Sequence, residues 1–280
     1  MKFFLNKSNE LRSNWWVAIF FLVLASITFP LIFLSRRQGW EITITHQAVI
    51  VVIATWISQL LRKKSMKELL GAINASLMKI IFRGFAAGAL LMLIPALFLT
   101  VSGNISLQQG NGTFSSILNI TFVFLSVAIA EEFLFRGFIF QQLRKGNGDW
   151  IAQLLIAGYF LLTHINNPGM SGNIKILASV NIFLASIMFG IAFIKTRSLV
   201  MPISFHFMAN WMQGAVLGFG VSGNEQDSLL QPVFSNAPHW LTGGSFGLEA
   251  SVPGLITVVA AIVILYKWKP SVYTQTKNRF

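Results

Sequence analysis

Phe122-Val-Phe-Leu-Ser-Val-Ala-Ile-Ala-Glu131-Glu132-Phe-Leu-Phe-Arg136-Gly-Phe-Ile-Phe140 reads as one apolar helix interrupted by two acids and a base. An ionised side chain at the centre of a bilayer costs about 2.5–3.5 kcal/mol even on the mildest insertion scale. Two adjacent carboxyls therefore need partners or a task. The other seven acids (Glu10, Glu41, Glu68, Asp149, Glu225, Asp227, Glu249) fall in stretches that read as loops or helix ends. The pair is thus expected to carry nearly all the buried acid chemistry of the chain.

Outward from this stretch, the 280 residues are 54% apolar and 11% charged, with a mean hydropathy of +0.66. Soluble domains carry about 25% charged residues. The composition predicts an all-α fold, a polytopic membrane helix bundle treated as a single domain over 1–280. A crossing needs about 20 apolar residues. Eight segments approach that length: 15–34, 43–61, 80–101, 114–143, 150–166, 174–194, 198–219 and 252–268. The first follows Lys2, Lys7 and Arg12, has no small-x-small cleavage site after it, and reads as a retained signal anchor.

Basic residues alternate between connections. Arg62, Lys63, Lys64, Lys67 and Lys79 mark one, Arg144 and Lys145 another, Lys195 and Arg197 a third. Connections 102–113, 167–173 and 220–251 have none, and Arg36 and Arg37 are the exception to the alternation. With Lys269, Lys277 and Arg279 in the tail, the positive-inside rule predicts a multi-pass protein of the cell membrane with both termini cytoplasmic. The net charge of +12 is spread over these connections and forms no stripe, so nucleic acid is not the expected partner. Loop 220–251, rich in Gly, Ser, Asn and Pro, is expected to be irregular. The chain has no cysteine, which removes disulfide and thiolate chemistry.

Four polar groups interrupt the apolar segments. Arg136 follows Glu132 by four residues and shares its helix face. His164 ends the run Phe160-Leu-Leu-Thr-His164, and His206 and Asn210 are again four apart. At 1.5 Å per residue from the basic end of each helix, Glu131 lies roughly 18 Å deep and His164 roughly 21 Å. His206 lies roughly 12 Å deep and Asn210 roughly 18 Å. Three helices thus bring polar groups to a similar depth, where they meet by facing the bundle interior. His46 and His239 fall near the outer surface and stand apart.

Such a set has two routes to an activated water. A carboxylate and an imidazole deprotonate it, while a second imidazole and an amide hold the oxyanion. Alternatively Glu131, His164 and His206 bind zinc and lower the pKa of its water. Both end in hydrolysis of a peptide or protein substrate in or near the lipid bilayer.

Glu131-Glu132-x-x-x-Arg136, Phe160-x-x-x-His164 and His206-x-x-x-Asn210, in that order, resemble the three signature motifs of the CPBP family of CAAX prenyl proteases and bacteriocin-processing or self-immunity proteins, also called Abi. The resemblance implies an intramembrane endopeptidase with a catalytic core over 114–219 and a cavity facing the cytoplasm or the middle of the membrane. It implies that Glu131 with His164 activates the water, that His206 and Asn210 stabilise the oxyanion, and that Glu132 and Arg136 hold the geometry. Members are often described as metalloproteases, yet a glutamate-only mechanism has also been argued for them; zinc is the cofactor only on the first view, and no His-Glu-x-x-His gives it independent support. Two other readings use the same residues: a non-catalytic self-immunity or scaffold protein, and an ion-coupled transporter. A serine mechanism through Gly169-Met-Ser171-Gly172 places its nucleophile at the far end of a helix, away from His206.

Overall fold

The structure is a computed structural model that describes residues 3–6, 9–71 and 77–269. Lys2, Lys7, Lys277 and Arg279 lie outside the described residues. The apolar segments become helices α1 (Ser13–Gln38), α2 (Ile44–Leu61), the short α3 (Lys67–Leu70) and α4 (Leu77–Val101). Strand β1 (Ile105–Gln109) leads to α5 (Phe114–Glu132), a π-helical stretch Phe133–Phe138, and α6 (Ile139–Asn147). Then come α7 (Asp149–His164), α8 (Gly172–Thr196), α9 (Val200–Asn210) and a second π-helical stretch Trp211–Val216. Strand β2 (Leu230–Phe234), the one-turn α10 (His239–Thr242) and α11 (Val252–Lys267) complete the chain.

Five of these helices among the described residues are long and apolar enough to cross a membrane: α1, α2, α4, the continuous helix 114–147, and α8. The other three expected crossings form shorter helices. At 16 residues, α7 spans about 24 Å, less than a hydrocarbon core of about 30 Å. It begins at Asp149 and stops at His164. Its shortness is what leaves His164 at the depth of the bundle interior.

The chain is mostly helical, as expected, but the expectation of an irregular loop 220–251 is corrected. Connection 102–113 and that loop share an antiparallel ladder from Ile105↔Phe234 to Gln109↔Leu230, strapped further by Asn111 Nδ2 donating to Asp227 Oδ1 at 2.8 Å. The loop also turns Val221, Phe246 and Leu248 into the bundle, where they are buried.

Contacts between connections define two faces. On the basic face, Lys145 meets Glu68 at 2.6 Å, the Ser198 hydroxyl donates to Leu70 O at 3.0 Å, and Lys195 donates to Tyr266 O at 2.6 Å. The opposite face carries the strand ladder and loop 217–251. Phe135, Phe138, Phe140, Phe160 and Phe193 fill much of the core.

Helix α4 fixes α9, which bears His206 and Asn210. Gly84 and Gly88 are four apart, and a methyl group on either would collide with α9: with Ser204 Cβ at 2.6 Å for Gly84, with Ala209 N at 2.7 Å for Gly88. Small residues at this spacing let two membrane helices approach closely.

Candidate active site

Glu131 and Glu132 close α5, and the π-helical stretch follows at once. Wide turns of this kind are rare and concentrate at functional sites. Its Gly137 leaves helical geometry at ψ −111°, which kinks the long helix. The turn after Asn210 is wide as well, so both acid- and histidine-bearing helices change register beside their polar residues.

Successive residues on a helix point about 100° apart, and the two acids have different surroundings. Glu132 is fully buried. Its Oε1 accepts from Arg136 Nη1 at 3.1 Å and lies 2.9 Å from His206 Nδ1. A carboxylate oxygen accepts, so Nδ1 is the donor. Arg136, also fully buried, donates through Nη2 to Ser186 O at 3.0 Å and to Ser186 Oγ at 2.8 Å. Phe135, Phe160 and Phe189 surround its guanidinium at 5.7, 4.8 and 5.4 Å. The pair thereby joins α5, α8 and α9.

Glu131 faces a cavity of about 560 Å³ instead. His164 Nε2 lies 3.7 Å from its Oε1, and His206 Nε2 lies 3.8 Å from its Oε2. These are ion-pair separations, longer than hydrogen bonds. Glu131 Oε2 is buried and has no hydrogen-bond partner among the described residues. His164 Nδ1 is 2.7 Å from Phe160 O. The carbonyl can only accept, so the ring donates through Nδ1 and turns Nε2 toward Glu131. His206 stacks on Phe189 at 4.9 Å. Asn210, one turn further along α9, is buried and lines the same cavity. Six expected residues are therefore gathered around one layer: Glu131, His164, His206 and Asn210 at the cavity, Glu132 and Arg136 behind it. Ser171 is exposed at the start of α8, outside the cavity lining. His46 and His239 also lie outside that lining.

The expectation that one acid pair holds nearly all the buried acid is corrected. Glu249, from loop 217–251, lines the cavity too. Its Oε2 accepts from the Ser222 hydroxyl at 2.9 Å and from Ser222 N–H at 3.1 Å. Burial pushes its carboxyl up, against the Ser222 hydrogen bonds and the charges of His164 and His206. No sequence signal marks it, since Gly247-Leu248-Glu249-Ala250 reads only as loop. Asn181 of α8 is a second addition: it lines the cavity at 3% exposure, and its Nδ2 has no hydrogen-bond partner among the described residues.

Glu131, His164 and His206 are the donor types zinc takes. Among the described residues, however, no three His, Asp or Glu side chains stand in an arrangement able to hold a metal ion. The ligand set of the zinc route is not formed in this geometry.

Residues 113–212 match the family model of the type II CAAX prenyl endopeptidases, Rce1-like. The matched stretch contains all six motif residues from Glu131 to Asn210. No curated protein matches the chain.

Proposed function

We propose, from the premise that residues 113–212 are an Rce1-like domain of the CPBP family, that this membrane protein hydrolyses a peptide bond with a water activated at Glu131. The observation that carries this reading is the bracketing of one carboxylate by two imidazoles from two other helices, at 3.7 and 3.8 Å.

Glu131 Oε1 and His164 Nε2 are facing acceptors, a pairing suited to a water that donates to both. Glu131 takes a proton as the water oxygen attacks the carbonyl carbon. The oxyanion is met by the Asn210 amide and by His206 Nε2, which donates when the ring is an imidazolium. The carbon–nitrogen bond then breaks, and the proton held by Glu131 passes to the leaving amine. Glu132 and Arg136 hold the His206 ring in place from behind. A positioned acid/base contributes about 10²–10⁴-fold in rate.

The catalytic core of this reading spans 114–219 within one membrane domain. This reading keeps eight crossings, which by the positive-inside rule make both termini cytoplasmic. The test is cleavage of a CAAX peptide, prenylated and unprenylated, by purified protein in detergent. Glu131→Gln and His164→Ala should each lose at least about 100-fold in kcat, with melting temperatures near wild type. Full cleavage by either variant overturns the assignment. A Glu131→Ala variant that keeps the biological role without cleavage supports the self-immunity reading instead.

A further inference from the structure

We propose that the start of α4 and the ends of α8 and α11 form a binding site for the phosphate of an anionic phospholipid, in the leaflet on the basic face. On the topology proposed above, that is the cytoplasmic leaflet.

Cations from three helices meet there. Lys195 of α8 donates to Tyr266 O at the end of α11 at 2.6 Å, and its ammonium lies 5.6 Å from the centre of the Tyr266 ring. Arg83 of α4 stands over the Trp268 ring at 5.6 Å. Lys267 and Lys269 flank Trp268 in the chain, and Lys79 precedes Arg83 by one helical turn on the same face. Lys195 is half-buried and the other four are exposed. Among the described residues none of the five forms an ion pair with a carboxylate. The sequence explains why. No acid occurs between Glu68 and Glu131, between Asp149 and Glu225, or after Glu249, so α4, α8 and α11 carry none. Glu68, on the same face, is already held by Lys145 and Arg62.

The positive-inside rule accounts for cations on this face but not for their gathering. Lys195 and Lys267 lie in the last turns of their helices, where the negative end of the helix dipole favours them. Lys79 and Arg83 lie in the first two turns of α4, at the positive end, where the same dipole disfavours a cation. Two cations at a positive helix end, beside three more and no carboxylate, repel one another until an anion joins them. The surroundings select a lipid as its bearer. Met78 and Phe82 of α4 and Val263 and Ile264 of α11 are exposed apolar side chains beside these cations, a surface for acyl chains. Tyr266 and Trp268 are the residue types that settle at headgroup depth. The Arg83 guanidinium offers a phosphate two parallel N–H donors, and the ammonium groups add point charges. A soluble phosphate would use the cations and leave the apolar wall uncovered.

Lipid contact at Trp268 tests the site independently of peptide cleavage. The full-length protein is reconstituted in phosphatidylcholine containing phosphatidylglycerol, with one lipid or the other brominated on its acyl chains to quench tryptophan. The part of the quenching lost in Trp268→Phe belongs to Trp268. There phosphatidylglycerol should be preferred over phosphatidylcholine by at least about fivefold, the factor expected for a single cation at an anionic surface. Arg83→Gln with Lys195→Gln, which keeps a donor for Tyr266 O, should bring the two lipids to parity. Lys63→Gln with Lys64→Gln removes the same charge from the connection after α2, on the same face, and should leave the preference in place. Equal quenching by both lipids in wild type overturns the proposal, and so does a preference that survives Arg83→Gln with Lys195→Gln. An equal loss in the two double variants would assign the effect to the general field of the basic face and overturns it too. Inorganic phosphate is the second probe, and at matched ionic strength it should displace phosphatidylglycerol no better than chloride does. Displacement by phosphate alone would reassign the cations to a soluble phosphate and overturn the lipid.

Discussion

The half of the bundle next to the basic connections is filled, whereas the half beneath the strand ladder holds a cavity of about 560 Å³. Neighbouring acids sit on opposite sides of that divide. Glu132 has Arg136 and His206 as direct partners and retains no accessible surface. Glu131 has only two imidazoles at ion-pair distance, and its side chain keeps 21% of its surface. The difference teaches that burial of charge serves two ends in one bundle. Paired directly through one oxygen to Arg136 and His206, a carboxylate is a joint between helices; with partners only at ion-pair distance beside a cavity, it is available to a ligand.

The largest expected effect breaks the filled half. Removing one partner of a buried ion pair costs about 3–5 kcal/mol, because the other charge is left uncompensated. Arg136→Ala should therefore lower the melting temperature in detergent sharply, whereas Glu131→Gln should leave it nearly unchanged. Replacing both members with apolar residues, Glu132→Leu with Arg136→Met, should recover much of the stability and none of the activity, since His206 Nδ1 loses its acceptor. Equal melting for Arg136→Ala and wild type would show that the two acids do not differ as described.

A smaller effect is expected at the α4–α9 contact, which connects the halves. Gly88→Leu forces side-chain atoms onto Ala209 N and the Phe205 carbonyl. Overpacking of this kind costs about 1–3 kcal/mol. It also shifts His206 and Asn210, and a displacement of about 1 Å costs on the order of 100-fold in rate. Gly158 of α7 is the control, because a methyl group there meets nothing within 4 Å. Gly158→Ala should be neutral or stabilising by about 0.5–1 kcal/mol. Matched activities for the two variants would mean that close helix approach does not position the site.

These contrasts also explain what the sequence could tell. Helix rise is fixed at 1.5 Å per residue, so the depths of Glu131, His164, His206 and Asn210 could be counted before any fold was known. The four-residue spacings of Glu132 with Arg136 and of His206 with Asn210 survive because they are local. Glu249 and Asn181 carried no such mark. Glu249 reaches the cavity only because loop 217–251 folds back over it, held by the strand ladder and by the Ser222 contacts. Asn181 sits in an apolar run, and the sequence does not say which side of α8 is hollow. The wide turns after Glu132 and Asn210 were equally silent, since Phe-Leu-Phe-Arg-Gly-Phe has ordinary helical periodicity. The ladder itself was hidden by strands of five residues, too short for alternation to stand out from loop.

The smallest effect lies at the surface of the filled half. Glu68 joins connection 62–71 to α6 through Lys145 at 2.6 Å and Arg62 at 3.1 Å. Burial alone would raise its pKa, but hydrogen bonds from Lys145 and Gln59 and the charges of Arg62 and Lys145 outweigh it and hold the carboxyl at about 2. A carboxyl depressed in the fold contributes stability above its unfolded pKa of about 4.3. That contribution fades as pH falls from there through about 2. Glu68 is partly exposed, and pairs of this kind contribute about 0.2–1 kcal/mol. Wild type should melt slightly above Glu68→Gln at pH 7, with the gap closing as the pH approaches 2. At pH 7 the gap should also shrink in about 1 M salt, where the Debye length is near 3 Å. Because Glu68 lies outside the cavity lining, cleavage at neutral pH should not follow the melting curve. A Glu68→Gln variant with impaired kcat would mean that the two halves of the bundle are coupled through this connection.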